Sequence, residues 1–285
     1  MKVAVLGTGL MGYPIAEKLV RDNIDVTAWN RTASKAQPLE EFGANIANSP
    51  KEAVESADVC ILVLADASAI EKVLFTGESI DFTDRTIIQM GTIAPEESRE
   101  FHEKVLARDG DYFEAPVLGN KHHAKQGELQ IMIGGSEDQM DNWKTLLKSL
   151  GMIFYVGSIG SAAALKLALN HLIASLTASF SLSLELVRRN GVTVETFMDV
   201  LRDSALYSKQ FDKKLSNMLE GDYSDPNFPT RHMLKDVDLT INAAESNHLE
   251  TAAVEGVRKI IQNAIEKGFD STDYSSLFEG IKLDA

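Results

Sequence analysis

The side chains best suited to chemistry in this sequence are Lys166 and Asn170, four positions apart in the stretch SAAALKLALNHLIASLTASFSLSLELVRRN, residues 161–190. That spacing stacks two side chains on one helical face, one turn apart. A protonated amine so placed can stabilise an oxygen that gathers negative charge and give it a proton, and the carboxamide beside it can orient either group. A plainer reading stands next to this one, in which Lys166 reaches from the edge of a core helix to water and Asn170 satisfies backbone groups. If the amine is chemical, reduction of a carbonyl asks less of it than oxidation does. An unperturbed lysine, with a pKa of about 10.4, is scarcely deprotonated at neutral pH.

The element that must position this pair is one long helix. Gly160 precedes it, Gly191 follows it and no proline interrupts it, so it should run about 40 Å. Leu165, Leu169, Leu172, Leu176, Phe180 and Leu184 lie along one side while Leu167, Ile173, Leu182 and Leu186 occupy others, and such a helix is expected to be covered nearly all round. The absence of charge between Lys166 and Glu185 raises a membrane span, but Asn170, His171 and the serines and threonines beyond them suit a protein core better.

A second group of residues points to a ligand. Lys2 to Gly7 is an apolar, β-prone run that meets GTGLMGYPIAEKLVRDN with no intervening loop, which places Gly7, Gly9 and Gly12 in a GxGxxG pattern between a strand and a helix. The first glycine permits the turn, the second lets a pyrophosphate approach the backbone together with Leu10 and Met11, and the third lets helix and strand pack closely. Unpaired N–H groups at the helix start would then face the phosphates. Asp25 to Trp29 is the next strand, followed by Asn30, Arg31 and Thr32. An acid that would bond a ribose 2′-hydroxyl is missing there; Arg31 offers a planar fork for a 2′-phosphate, with Thr32 and Lys35 as further donors, so NADP is expected rather than NAD.

Strands and helices continue to alternate. A short helix is expected over 36–42 and another over 50–56; VCILVL, with Leu64 at its end, is a covered strand, and Ala65 to Ala69 opens a helix at the edge of the sheet where cofactors rest. Thr86 to Met90 is a strand followed by Gly91, Thr92 and Pro95, then a helix to Ala107; Asp111 to Ala115 and Leu129 to Gly134 complete the pattern. This predicts an α/β fold with a Rossmann-type doubly wound sheet over residues 1–160. The loop APVLGNKHHAKQGE carries Lys121, His122, His123 and Lys125 in an acidic chain. Paired histidines raise a metal, but no carboxylate or cysteine stands at a suitable short spacing and none is expected. The loop reads either as a receiver of a small carboxylate or as an exposed turn. After Gly191 the segments read as helices, so residues 161–285 are expected to form an all-helical domain for substrate and oligomerisation. Within it Tyr207, Lys209, Phe211 and Phe228 either line a cleft or, for the aromatics, pack a core.

Composition narrows the partners. With 28 Lys+Arg against 42 Asp+Glu the net charge is −14, which argues against nucleic acid. The single Cys60 lies in an apolar strand and excludes a disulfide framework. The start MKVAVLG enters a strand directly and lacks the features of a secretory signal, so a soluble cytoplasmic protein with no membrane partner is expected.

Several segments in order resemble the β-hydroxyacid dehydrogenase family, which includes 3-hydroxyisobutyrate dehydrogenase, tartronate semialdehyde reductase and the glyoxylate/succinic semialdehyde reductases. They are VAVLGTGLMGYPIAEKL, GTIAPEES, EAPVLGNKHHAKQGELQIMIGG, GSIGSAAALKLALNH and MLKDVDL, and they span essentially the whole chain. The resemblance implies hydride exchange between a nicotinamide cofactor and a small carboxylated aldehyde or hydroxy acid. It marks Lys166 as the catalytic lysine with Asn170 as its neighbour, Leu118, Gly119 and Asn120 as the substrate loop, Thr92 and Lys235 as positions approaching the cofactor, and Asp236 as the acidic partner of Lys235. WNRT resembles the NADP-using branch. There are departures: Leu118 stands where serine is usual, Asn120 and Gly91 replace a glycine and a serine, and His171 replaces an asparagine. An NADPH-dependent reductase of glyoxylate or succinic semialdehyde is therefore expected. The alternatives are a 3-hydroxyisobutyrate or tartronate semialdehyde dehydrogenase/reductase, an imine reductase and a noncatalytic NADPH-binding scaffold. A homodimer is expected, with a tetramer the other possibility.

Overall fold

A computed structural model describes residues 1–283 as two compact units, the first Met1–Lys166 and the second beginning at Leu167. The first contains, in chain order, β1 (Lys2–Leu6), α1 (Gly12–Arg21), β2 (Asp25–Trp29), β3 (Asn45–Ile46), α2 (Pro50–Glu55), β4 (Val59–Leu62), α3 (Ala67–Leu74), β5 (Thr86–Gln89), α4 (Pro95–Leu106) and β6 (Asp111–Glu114). It continues with β7 (Val117–Leu118), α5 (Lys121–Gln126), β8 (Leu129–Gly134), α6 (Glu137–Leu150) and β9 (Gly151–Gly157). The strand order β3-β2-β1-β4-β5-β6 is wholly parallel; β8 runs antiparallel to β6 and β7, and β9 pairs in parallel with β8. This is the Rossmann-type sheet expected of the alternation.

Apolar runs buried on both sides explain why the central strands lie inside. Val3, Val5 and Ile61 pack with Ile15 and Leu19 of α1 on one face, while Leu6, Cys60 and Leu62 pack with Ile70 and Phe101 on the other. Each such side chain contributes about 1.5–3 kcal/mol by leaving water. Cys60 is buried in β4, and burial pushes its thiol well above the usual range. We expect it to resist a disulfide reagent in the native protein for as long as the fold holds, and to react fully in denaturant. Native-state labelling at the denatured rate would refute this burial.

Three local expectations change. Residues 37–42 form a 3-10 turn closed by Gly43 at φ 103°, with Pro38 removing an N–H from its start. The segment 121–126, read as loop, is helix α5. Helix α6 and strand β9 were not anticipated; Ser136 and Gln139 start α6 by exchanging hydrogen bonds, Gln139 N to Ser136 Oγ at 3.1 Å and Ser136 N to Gln139 Oε1 at 2.8 Å.

Helix α7 (Ser161–Arg189) is continuous, and the chain goes on through α8 (Val194–Arg202), α9 (Lys209–Glu220), α10 (Thr230–Ser246), α11 (Ala252–Glu266) and α12 (Leu277–Gly280). Among the described residues this part has no strand beyond an isolated bridge between Pro229 and Asp273. Ala174 and Ala178 of α7 pack with Met233, Val237 and Ile261, while Phe180 and Leu184 pack with Met198, Phe211 and Met218. Phe211 is core, its ring stacked 4.6 Å from Phe180, and Phe228, partly buried, packs against Tyr274. By length and composition α7 could cross a membrane, but these buried stripes make it a packed helix. Coverage is incomplete, though: Leu172, Leu182 and Leu186 are exposed in the single chain, where all-round burial was expected.

Candidate active site

Register places the ends of the central strands level. Leu6 pairs with Trp29 and with Leu62, and Leu62 with Gln89, so Gly7, Asn30, Val63 and Met90 leave the sheet at one edge. Gly7 turns the chain at φ 97°, and a Cβ on it would lie 2.3 Å from the Val63 carbonyl oxygen. A Cβ on Gly12 would lie 1.7 Å from the Gly7 oxygen, which is why α1 can sit so close to β1. Gly9 differs: nothing lies within 4 Å of the place its Cβ would take. That open face, beside a helix start with no side-chain cap from Met11 and no acid in its first turn, fits a pyrophosphate. Leu10 is exposed over the same turn, and Met11 packs on the core.

At the end of β2 the Asn30 carboxamide is committed on both sides. Its Oδ1 accepts from Thr8 N at 3.1 Å and its Nδ2 donates to the Thr32 carbonyl at 2.9 Å. Asn30 thus ties the glycine turn to the following loop, while Arg31, Thr32 and Lys35 are exposed beyond it. No acid occurs between Trp29 and Lys35. After β4, Leu64 and Ala65 turn into α3, whose start is capped by Asp66 accepting from Ala69 N at 2.8 Å. Gly91 and Thr92 turn out of β5 next to them; a Cβ on Gly91 would lie 2.7 Å from the Leu64 carbonyl oxygen, so no serine fits there in this arrangement.

Leu118 ends β7, half-buried, and Gly119 follows at φ 145° with its missing Cβ pointing at Leu129 and His123. Asn120 caps α5: its Oδ1 accepts from His122 N and His123 N at 3.0 and 3.1 Å, while His123 Nδ1 accepts from Asn120 N at 3.2 Å. Asn120 Oδ1 and His123 Nδ1 are thus both engaged in starting this helix. Lys125 pairs with buried Glu17 at 3.2 Å. Among the described residues no group of three or more His, Cys, Asp or Glu is placed to hold a metal.

On α7, Lys166 is half-buried and Asn170 buried one turn later. Asn170 Nδ2 donates to Asp236 Oδ2 at 2.5 Å, and Asp236 Oδ1 pairs with Lys235 Nζ at 2.9 Å. The carboxylate of α10 therefore ties together Asn170 and Lys235, residues the sequence offered separately. Sequence reasoning missed Glu114, which nothing local distinguishes; its buried carboxylate accepts hydrogen bonds from the first N–H groups of α7.

Comparison with protein families matches residues 2–157 to the NAD-binding domain of 6-phosphogluconate dehydrogenase and residues 160–281 to the NAD-binding region of NADP-dependent 3-hydroxyisobutyrate dehydrogenase. The chain belongs to the β-hydroxyacid dehydrogenase family. It is an NADP(H)-binding oxidoreductase acting on a small hydroxy acid or aldehyde. Glyoxylate/succinic semialdehyde reductase 1 of Arabidopsis thaliana is 29% identical to the dehydrogenase over 99% of both chains. The 3-hydroxyisobutyrate dehydrogenase of Mycobacterium tuberculosis, solved with L-serine, shares its fold at a TM-score of 0.88 over 99% of both chains, with 21% identity. A reductive aminase of Aspergillus terreus, solved with NADPH and ethyl levulinate, superposes at 0.67 over 99% of both chains, with 25% identity.

Proposed function

We propose that the dehydrogenase interconverts a small carboxylated aldehyde and its hydroxy acid, with Lys166 as the proton-transferring group. The observation that carries this reading is the Lys166–Asn170 pair on one face of α7, the second member anchored through Asp236. When bound, the nicotinamide supplies a hydride to the carbonyl carbon and is left oxidised. The Lys166 ammonium stabilises the charge that gathers on the carbonyl oxygen and gives up a proton from Nζ to it, completing the alcohol. In the oxidising direction the neutral amine accepts that proton. Asn170, held by its amide on Asp236, orients the amine one turn before it. Gly7, Gly9, Gly12, Leu10 and Met11 hold the pyrophosphate; Arg31, Thr32 and Lys35, set by Asn30, hold the 2′-phosphate; Leu64, Ala65, Ala69 and Thr92 border the cofactor.

Within that class, the family match over 160–281 and the apolar Leu118 favour a methyl-branched 3-hydroxy acid of the 3-hydroxyisobutyrate type, with tartronate semialdehyde next. Leu118 offers a methyl branch an apolar contact that glyoxylate cannot use. This moves the emphasis away from glyoxylate and succinic semialdehyde, which the resemblance alone put first. The exposed leucines of α7 support a homodimer, with a tetramer as the alternative, and the acidic, cysteine-poor composition supports a cytoplasmic location.

A panel tests the reading: 3-hydroxyisobutyrate with NADP⁺ or NAD⁺, and glyoxylate, succinic semialdehyde, tartronate semialdehyde and a cyclic imine with NADPH or NADH. We expect turnover with the carboxylated compounds, strongest with NADP(H). Activity confined to the imine would replace the substrate class. NADPH binding without turnover of any compound would make the chain a nucleotide-dependent scaffold.

A further inference from the structure

We propose that Glu114 is a positioning residue for Lys166, fixing the first turn of α7 and setting a negative charge at that helix's positive end. The inference rests on the reading of Lys166 as the proton donor. Glu114 ends β6 and is 1% exposed. Its Oε1 accepts from Gly160 N at 2.9 Å, and its Oε2 from Ala162 N at 3.0 Å and Ala163 N at 3.4 Å. These N–H groups have no partner within the helix itself. Gly134, opposite Glu114 in the β6–β8 register, leaves the room: a Cβ there would lie 2.1 Å from Oε2 and 3.0 Å from the Ala162 Cβ. From α4, Ser98 meets the hydroxyl of Tyr112, two residues before Glu114 on β6, at 2.9 Å. Three elements, β6, β8 and α7, thus meet at one carboxylate.

Capping alone does not call for such a group. Ser136, Thr193 and Ser208 start α6, α8 and α9 from the adjoining position with neutral side chains. Helix α7 is instead capped from 46 residues away in sequence, by a carboxyl whose pKa burial raises above its ordinary range against the opposing hydrogen bonds of Gly160, Ala163 and Ala162. Its ionised form is therefore held at a cost in stability. What that charge can do lies on the same helix. Lys166 is four residues beyond Ala162, one turn and about 6 Å of helical rise further along. The Glu114 carboxylate balances the helix's positive end, confined to its first turn, and holds the turn from which Lys166 projects.

The test is a double-mutant cycle on the full-length enzyme, with NADPH and the fastest carbonyl substrate of the panel. Glu114→Gln is expected to lower kcat about tenfold per NADPH-binding site, with NADPH affinity unchanged. In a Lys166→Ala background the same change should cost nothing further, because its effect passes through the lysine. An equal loss in both backgrounds, an unchanged kcat in the single variant, or a fall in the number of NADPH sites that accounts for the whole loss would each overturn the proposal. Full turnover by Lys166→Ala alone would instead remove the proton-donor reading. If Glu114→Gln does not fold, Glu114→Asp, which keeps the charge but shortens its reach to the N–H groups of α7, goes through the same cycle; a two- to threefold loss of kcat that disappears without Lys166 supports the proposal, and any other result overturns it.

Discussion

Turnover by Lys166→Ala is expected to fall by at least about a hundredfold while NADPH binding is kept, a loss in the range that general acid catalysis supplies. The residues proposed to receive the cofactor lie in the turns after β1, β2, β4 and β5, away from Lys166 in the chain. Alanine is also a strong helix former, so α7 should persist. Lys166→Arg sharpens the result: it keeps a cation but scarcely donates a proton, and should stay near the alanine level. Stopped-flow turnover beside a fluorescence titration with NADPH separates the two properties. If the alanine variant turns over normally, the lysine only lines the edge of a packed helix.

Arg31→Ala should weaken NADPH roughly ten- to a hundredfold and change NADH by no more than about twofold, since a charge-assisted hydrogen bond contributes on the order of 1.5–3 kcal/mol. The reason is positional. Asn30 spends both ends of its carboxamide bridging Thr8 and Thr32, so the residue at the end of β2 acts as a brace, and the proposed phosphate contact falls to the exposed Arg31, Thr32 and Lys35. A shift in both cofactors together would mean that Arg31 serves the loop's shape; no shift would mean that it is merely solvated.

Whether a feature was legible in the sequence depended on how far its cause lay along the chain. Gly7, Gly9 and Gly12 were readable because their spacing and their place between a strand and a helix are local features, and the clash Gly12 avoids is with Gly7 itself. The length of α7 followed from its lack of breakers. Helix α5 was hidden because His123 fills the reciprocal capping position that glutamate or glutamine usually marks. Strand β9 was hidden because Met152, Phe154 and Tyr155 are exposed on it and blur the two-residue alternation. Partners far apart left no trace at all: Asn170 meets Asp236 across 66 residues, and Glu114 reaches α7 across 46 to 49. The sequence offered Asn170 by its spacing from Lys166, named Asp236 only through the resemblance, and left Glu114 unmarked.

The tight approach of Gly91 to the Leu64 carbonyl bears on anyone recombining this enzyme with its relatives. The two turns behave as a matched set, each shaped to the other's backbone. Transplanting one of them, hydroxyl included, would bring in a side chain with nowhere to stand, so chimeras should exchange the pair or leave both alone.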